Sequence, residues 1–147
     1  MRQQDQDAMR RAIELARAQH GRTGENPSVG CVLISADGRR LSEGATGDGG
    51  RPHAEQLALT LFEGKLPPGT TAYVTLEPCR ERSTGEASCS HRLIEAGVAK
   101  VFVAVMDRHP KGAGGKAAIE AAGIEIETGF LEEEAAFLYE DFFASLD

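Results

Sequence analysis

Short apolar runs alternate with amphipathic segments along this chain, and this alternation constrains the fold more than any other feature. The runs "SVGCVLIS", "TAYVTL", "KVFVAV" and "IEIET" are typical of β-strands, and "RRLSEGAT" returns after a hairpin turn at Asp37-Gly38. Segments with helical periodicity separate the later strands. The order α-β-β-α-β-α-β-α-β-α predicts an α/β fold, a three-layer α-β-α sandwich with a central mixed five-stranded sheet. We expect a single domain over residues 1–147.

The helical segments carry signals for their ends. The periodicity predicts helices over residues 4–19, 53–64, 89–96, 116–123 and 131–146. Pro52 is expected at the start of the second helix, where its missing N–H costs nothing, and Gly64 is expected as its C′ residue. The last helix contains the aromatic run "FLYEDFF", which indicates either packing on the sheet or a homodimer interface.

The charge and cysteine content narrow the class of protein. A net charge of −7 argues against non-specific nucleic-acid binding, which needs a basic surface. Three cysteines are an odd number, which disfavours a secreted disulfide framework and favours thiols in a reducing compartment. The N-terminus is charged throughout, unlike a signal peptide, and no apolar run approaches the roughly 20 residues that span a bilayer. We predict a cytoplasmic protein with no nucleic-acid or membrane partner.

Two stretches, "RPHAEQLAL" and "VTLEPCRERSTGEASC", carry residues suited to metal chemistry. Each residue alone has an ordinary explanation, since a histidine at a helix start is often a cap and a cysteine is often a small buried side chain. Together they match the H-x-E…P-C…C pattern of zinc deaminases. We predict that His53, Cys79 and Cys89 bind Zn²⁺ and leave the fourth tetrahedral position open, as in catalytic sites. Cys31 lies inside a predicted strand and is expected in the core.

Glu55 lies two residues after His53 and is not needed as a ligand. Both ligand cysteines would lie at or near a helix N-terminus, whose partial positive charge favours the thiolate. We expect Glu55 to act as the proton shuttle, taking a proton from the metal-activated water and passing it to a ring nitrogen and to the leaving amine. The predicted reaction converts a ring amino group to a carbonyl and releases ammonia.

The chain resembles the cytidine-deaminase-like superfamily and, within it, the pyrimidine deaminase domain of the bifunctional riboflavin-biosynthesis deaminase/reductase. The matching pieces follow the family's order and cover nearly the whole chain: "NPSVGCVLI", "PHAE", "AYVTLEPC", "LIEAGVAKVFVAV" and "AAGIEIETG". The resemblance implies a small heterocyclic amine as substrate and Zn²⁺ as cofactor. It also implies a set of substrate contacts at Asn26, Ala54, Glu77, Pro78, Ser83, Thr84 and His109.

Two loops depart from the family's pattern. The nine residues between Cys79 and Cys89, "RERSTGEAS", form a run one residue longer than is typical of the riboflavin-type domain, and they lack its paired prolines. Cytidine deaminases and tRNA adenosine deaminases have a much shorter gap. In "DRHPKGAGGKA", His109 replaces a typical asparagine and is either a substrate contact or an exposed loop residue. Asn26 is either a contact to the base edge or a turn residue before Pro27.

The resemblance favours a deaminase of the riboflavin-pathway diaminopyrimidine nucleotide. Because the sequence stops at Asp147, we expect a stand-alone deaminase with no reductase domain. Three alternatives stay open: a deaminase of another nucleobase, nucleoside, triazine or pterin-like ring, a tRNA adenosine deaminase, and a non-catalytic zinc-binding relative. Since active sites in this superfamily are often completed by a neighbouring subunit, we also predict a homo-oligomer, a dimer or larger.

Overall fold

The secondary structure follows the predicted order. The structure, a computed structural model, describes residues 3–62, 65–79, 88–107 and 114–145. The elements are α1 (Gln3–Gln19), β1 (Gly30–Ile34), β2 (Arg40–Ala45), α2 (Ala54–Leu61), β3 (Thr71–Leu76), α3 (Cys89–Ala96), β4 (Lys100–Val105), α4 (Gly115–Ala121), β5 (Glu125–Thr128), α5 (Glu132–Ala135) and α6 (Glu140–Ala144). Short 3₁₀ turns occupy Asp48–Gly50 and Ala136–Tyr139. No helix in the described ranges is long and apolar enough to cross a bilayer.

The five strands form one mixed sheet in the order β2-β1-β3-β4-β5. Strand β1 pairs antiparallel with both β2 and β3, whereas β3–β4 and β4–β5 are parallel. The antiparallel pair β1–β2 follows from the Asp37-Gly38 turn, and the parallel pairs require the helical crossovers that the sequence predicts between them. The predicted α/β fold with a mixed five-stranded sheet is confirmed.

Both faces of the sheet are covered, because successive strand residues point to opposite sides. On one face α1 and the C-terminal segment (Glu132–Ala144) cover the sheet, with Met9, Tyr73 and Tyr139 among the buried side chains. On the other face α2, α3 and α4 cover it around Val74 and other apolar side chains. This double covering explains why β1, β3 and β4 consist of apolar residues almost throughout.

Two glycines let helices lie directly on strands. A Cβ on Gly30 would lie 1.9 Å from the carbonyl oxygen of Ala12 in α1. A Cβ on Gly44 would lie 2.7 Å from the carbonyl oxygen of Ala54 and 2.8 Å from the backbone nitrogen of Ala58, both in α2. These separations are shorter than Cβ contacts allow, so the first turn of α2 sits against β2 only because residue 44 has no side chain.

The start of α2 differs from the prediction. The helix begins at Ala54, and His53 is its N-cap with an extended backbone, φ −71° and ψ 154°. Pro52 therefore precedes the cap instead of occupying the first helical turn, and its peptide bond to Arg51 is cis. The helix ends at Leu61, and the predicted C′ residue Gly64 lies outside the described residues.

The prediction of one continuous helix over residues 131–146 is wrong. The C-terminal segment is instead broken into α5, a 3₁₀ turn and α6, and its last predicted residue, Leu146, is outside the described ranges. The break has a tertiary cause. The hydroxyl of Tyr139 donates to the backbone carbonyl of Ser28 at 2.7 Å and lies 2.6 Å from the hydroxyl of Thr75. At Tyr139 the backbone leaves the helical region, with φ −117° and ψ 2°.

Candidate metal centre and active site

The candidate site lies at the carboxyl end of β3, where α2 and α3 begin. Strand β3 ends at Leu76, and Cys79 follows it three residues later. The N-cap of α2 is His53, whose side chain makes no capping hydrogen bond, so its imidazole is directed to another partner. Cys89 is the first residue of α3. In open α/β sheets, ligands bind outside the carboxyl ends of the strands, which is where these three side chains converge.

The first turn of α3 favours a thiolate at Cys79. The backbone N–H of Cys89 donates to the Sγ atom of Cys79 at 3.2 Å, so one of the unsatisfied N–H groups of the helix start points at the sulfur. Ser90 holds the Cys79 carbonyl oxygen through its backbone N–H at 3.1 Å and its hydroxyl at 2.9 Å. The hydrogen bond with the Cys89 side chain and that with His53 lower the pKa of Cys79. A thiolate is the form of cysteine that binds metal ions.

The residues fit a zinc ion in geometry and in donor type. The Nδ1 atom of His53 lies 3.3 Å from the Sγ atom of Cys89. The ligand atoms of His53, Cys79 and Cys89 all lie within 4.8 Å of one another. Tetrahedral zinc with ordinary Zn–S and Zn–N bond lengths separates such atoms by roughly 3.5–3.8 Å. Two sulfurs and one imidazole are also a donor set that selects zinc over the hard cations that prefer oxygen.

Glu55 is buried next to these side chains. It is the second residue of α2 and only 3% exposed, an unusual position for a carboxyl group. Burial raises its pKa to about 7, and the negative charge of Cys79 adds to this effect. A carboxyl group with a pKa near neutrality can both accept and donate a proton under ordinary conditions.

A cavity of about 290 Å³ joins these groups. Its described lining includes His53, Glu55, Cys79 and Cys89, together with Glu25, Asn26, Pro27, Val29, Thr46, Leu76, Glu77, Asp107 and Phe142. The volume suits a single small ring, at the low end of the range for ligand sites. No lysine or arginine is among the described lining residues.

The predicted substrate contacts fall into three groups: residues that line the cavity, buried residues that do not line it, and residues outside the described ranges. Asn26 lines the cavity, and its Nδ2 donates to the backbone carbonyl of Gly50 at 3.2 Å. The backbone of Asn26 also forms a turn with Thr23, whose hydroxyl donates to the Asn26 carbonyl at 2.7 Å. Asn26 is therefore a turn residue that also lines the cavity, and its contact with the base edge stays a prediction. Ser83, Thr84 and His109 lie outside the described residues.

Glu77 lines the cavity, but its carboxylate is engaged by the backbone. It accepts hydrogen bonds from the N–H groups of Asp107 at 3.2 Å, Gly114 at 3.2 Å and Lys116 at 2.9 Å. The carboxylate thus ties the end of β4 to the start of α4. Ala54 and Pro78 are buried and are not among the described residues that line the cavity, so their contact with a substrate stays a prediction.

Sequence reasoning missed several cavity residues, notably Asp107 and Phe142. Asp107 lies two residues after the end of the parallel strand β4, near the carboxyl edge of the sheet where functional side chains cluster, and this was a usable signal. Phe142 gave a weaker signal, since it is one of several aromatics in "FLYEDFF" and only the fold shows that it lines the cavity. Cys31 is fully buried in the core as predicted, and none of the three cysteines forms a disulfide.

A mixed α/β sheet that gathers two thiols, one imidazole and a buried carboxyl group around one cavity has the arrangement of a metal-dependent hydrolytic enzyme. Comparison with known proteins makes the class specific. The chain belongs to the cytidine and deoxycytidylate deaminase family: residues 2–105 match the family described as "Cytidine and deoxycytidylate deaminase zinc-binding region". His53, Glu55, Cys79 and Cys89 all lie inside the matched range.

Individual relatives extend the likeness to nearly the whole chain. The riboflavin biosynthesis protein RibD of Aquifex aeolicus is 39% identical over 144 residues, which are 97% of this chain and 40% of that protein. The crystal structure of a diaminohydroxyphosphoribosylaminopyrimidine deaminase/5-amino-6-(5-phosphoribosylamino)uracil reductase from Thermotoga maritima matches with a TM-score of 0.89 at 37% identity, over 96% of this chain and 40% of that one. RibD of Acinetobacter baumannii matches with a TM-score of 0.88 at 42% identity, over 97% and 40%.

These findings confirm the predicted superfamily and the predicted deaminase class of enzyme. The chain spans about two fifths of the length of the relatives named above.

Proposed function

We propose that this chain is a zinc-dependent hydrolytic deaminase of a small pyrimidine-type ring, with the riboflavin-pathway diaminopyrimidine nucleotide as its substrate. His53, Cys79 and Cys89 hold the metal ion, and Glu55 moves the proton. The observation that carries the proposal is the convergence of the three ligand atoms within 4.8 Å at a cavity that also contains the buried Glu55. The names of the relatives support the substrate, since they belong to riboflavin biosynthesis proteins.

The reaction replaces the bond between a ring carbon and its exocyclic amino nitrogen by a C–O bond and releases ammonia. Bound zinc supplies a Lewis acid that lowers the pKa of water to about 7. Glu55 would accept one proton of the attacking water and deliver it to the ring nitrogen beside the reacting carbon, and would then carry the second proton, from the added hydroxyl, to the departing amine. Burial favours this role, because the raised pKa of Glu55 makes its carboxylate a stronger base than an exposed one.

The cavity favours a small ring over a nucleic acid. A net charge of −7 disfavours the binding of a polyanion as large as a nucleic acid. Asn26 offers an amide that can pair with a ring edge, and Pro27, Val29 and Leu76 provide apolar contacts for its faces. The tRNA adenosine deaminase alternative is thus disfavoured, while deaminases of other small rings remain the second candidate.

Ammonia release by the zinc-loaded protein tests the proposal. The panel contains the diaminopyrimidine nucleotide, its dephosphorylated form, cytosine, cytidine, guanine and aminotriazines. We expect the nucleotide to give the highest kcat/KM. Protein from which a chelator has removed the zinc should release no ammonia. Release from a different ring alone would favour the second candidate. Zinc binding without ammonia from any compound would favour the non-catalytic relative.

The predicted homo-oligomer and the predicted cytoplasmic location also belong to this proposal. Among the described residues, Leu61 of α2 and Phe137 of the C-terminal segment are large apolar side chains exposed to 61% and 41%, and they belong to opposite faces of the sheet, so the homo-oligomer is proposed from the family resemblance. The three cysteines without a disulfide support a reducing compartment.

A further inference from the structure

Phe142 lies in the cavity wall, far in sequence from every residue of the metal site. It is the one phenyl ring among the described residues that line the cavity, and it is half-buried. The α6 helix that carries it belongs to the face of the sheet opposite α2 and α3. The elements on one face of the sheet thus supply His53, Glu55 and Cys89 to the cavity, and the C-terminal segment on the other face supplies a phenyl ring.

The segment that carries Phe142 is fixed to the floor of the cavity. Tyr139, one helical turn earlier, is fully buried, and its hydroxyl donates to the carbonyl of Ser28 and contacts the hydroxyl of Thr75. Ser28 lies between the cavity residues Pro27 and Val29, and Thr75 directly precedes the cavity residue Leu76. The hydroxyl of Thr75 in turn accepts from the N–H of Gly30 at 3.0 Å. This network sets the position of the Phe142 ring relative to the cavity.

The neighbouring ring, Phe143, has a different environment. It packs against the core of α1 and the C-terminal segment and does not line the cavity. Its centroid lies 5.7 Å from that of Phe142 and 6.1 Å from that of Tyr139. Two adjacent phenylalanines are thus divided between the core and the cavity, which gives a matched pair for experiment.

We propose that Phe142 is a substrate-binding residue whose ring packs against a face of the heterocycle and so selects planar aromatic substrates. This inference rests on the proposed function and extends it. A heterocycle presents its polar edge to Asn26 and Glu55 and needs apolar contacts for its faces, and stacking on an aromatic side chain is tolerant of ring identity because every such ring has a π-face. The segment anchored by Tyr139 supplies that contact.

Steady-state kinetics of the zinc-loaded Phe142→Ala and Phe143→Ala proteins test the proposal with the diaminopyrimidine nucleotide. Removal of a stacking side chain weakens binding by about tenfold or more. We expect Phe142→Ala to raise KM by that factor with kcat changed by less than about threefold, and Phe142→Tyr to restore KM. Phe143→Ala should lower the thermal midpoint and leave KM within about twofold. Equal KM values for wild type and Phe142→Ala would overturn the proposal.

A binding measurement separates this inference from the proposed function. Calorimetric titration of the same nucleotide into zinc-loaded Glu55→Gln, with and without Phe142→Ala, reports Kd in a protein that does not turn over. A Kd raised about tenfold or more by Phe142→Ala supports the role of Phe142 even if the wild type releases no ammonia, a result that would defeat only the proposed function. An unchanged Kd, or no binding by either protein, would overturn the role of Phe142. If Phe142→Ala fails to fold, Phe142→Leu keeps the apolar volume, removes the π-face and is subject to the same criteria.

Discussion

The starts of α2 and α3 and the C-terminal segment reach the same cavity from opposite faces of the sheet, and they contribute in different ways. The helix starts present sulfur, nitrogen and carboxyl groups that lie in short contact, such as the 3.3 Å between the Nδ1 atom of His53 and the Sγ atom of Cys89. The C-terminal segment presents an aromatic ring held by a buried hydroxyl. Removal of a single donor atom is expected to abolish metal binding and the reaction that depends on it. Removal of apolar atoms only reduces the contact area, so the binding energy falls gradually. Substitutions in the two regions should therefore differ in severity.

The largest effect is expected from loss of a metal ligand. Cys89→Ala removes one of three donors, so zinc content measured by atomic emission and ammonia release should both fall to background. Cys31→Ala is the matched control, because Cys31 is fully buried in the core away from the other two sulfurs and should retain its zinc. A Cys89→Ala protein with full zinc content and activity would contradict the assigned ligand set.

The second largest effect is expected from substitution of Glu55, the proposed proton shuttle. Glu55→Gln keeps the shape of the side chain but cannot carry the proton, so kcat should fall by roughly 10²–10⁴-fold while zinc content stays unchanged. Glu95→Gln, on the exposed side of α3, serves as the control and should retain full activity. Equal turnover in Glu55→Gln and wild type would remove Glu55 from the mechanism.

A smaller effect is expected in the C-terminal segment. Tyr139→Phe removes one hydroxyl and leaves the Ser28 carbonyl and the Thr75 hydroxyl without that partner. The free energy of unfolding should fall by about 1–3 kcal/mol, the usual cost of an unsatisfied buried polar group. Urea titration measures it. A loss of zinc without a loss of stability would mean that this segment acts on the metal site directly and not through apolar contact with the cavity.

The smallest effect is expected far from the cavity, where Arg11 of α1 binds Glu43 of β2 through contacts of 2.7 and 3.0 Å. Arg11→Ala should lower the free energy of unfolding by less than about 1 kcal/mol, because both side chains are partly exposed and screened, and should leave activity intact.

The pH dependence of that pair has a definite sign. The hydrogen bond from Arg11 lowers the pKa of Glu43 below its ordinary value of 4.5. The stabilisation is therefore complete above pH 4.5 and is lost as the pH falls through the lowered pKa. Urea titrations at pH 7 and in acid should show the difference between wild type and Arg11→Ala narrowing in acid. A difference that grows in acid would contradict this assignment.

The difference between the helix starts and the C-terminal segment also determines which parts of the structure could be predicted from the sequence. The grouping of His53, Glu55, Cys79 and Cys89 was predictable because zinc chemistry demands particular residue types at a recognisable spacing, and the structure brings all four to one cavity. Strand β3, helix α3 and strand β4 have the bounds that their periodicity predicts. In these segments local preference and tertiary packing favour the same structure.

The break in the C-terminal segment could not be predicted in this way. It depends on a hydrogen bond between Tyr139 and Ser28, which are 111 positions apart in the chain. The start of α2 was also misplaced, since a proline is acceptable both at the first helical position and before the cap, and the local sequence does not decide between them. Contacts across the fold are not encoded in local periodicity.

The approach of β2 to α2 at Gly44 bears on catalysis without any chemistry of its own. A single methyl group there would meet the carbonyl of Ala54 and the nitrogen of Ala58, and would wedge the first turn of the helix outward. Glu55 and the N-cap His53 lie at the start of this helix, whereas Cys79 and Cys89 do not, so the shift would move the carboxyl group and the imidazole away from the two sulfur atoms. The position of the Glu55 carboxyl group thus depends in part on the absence of a Cβ atom at Gly44.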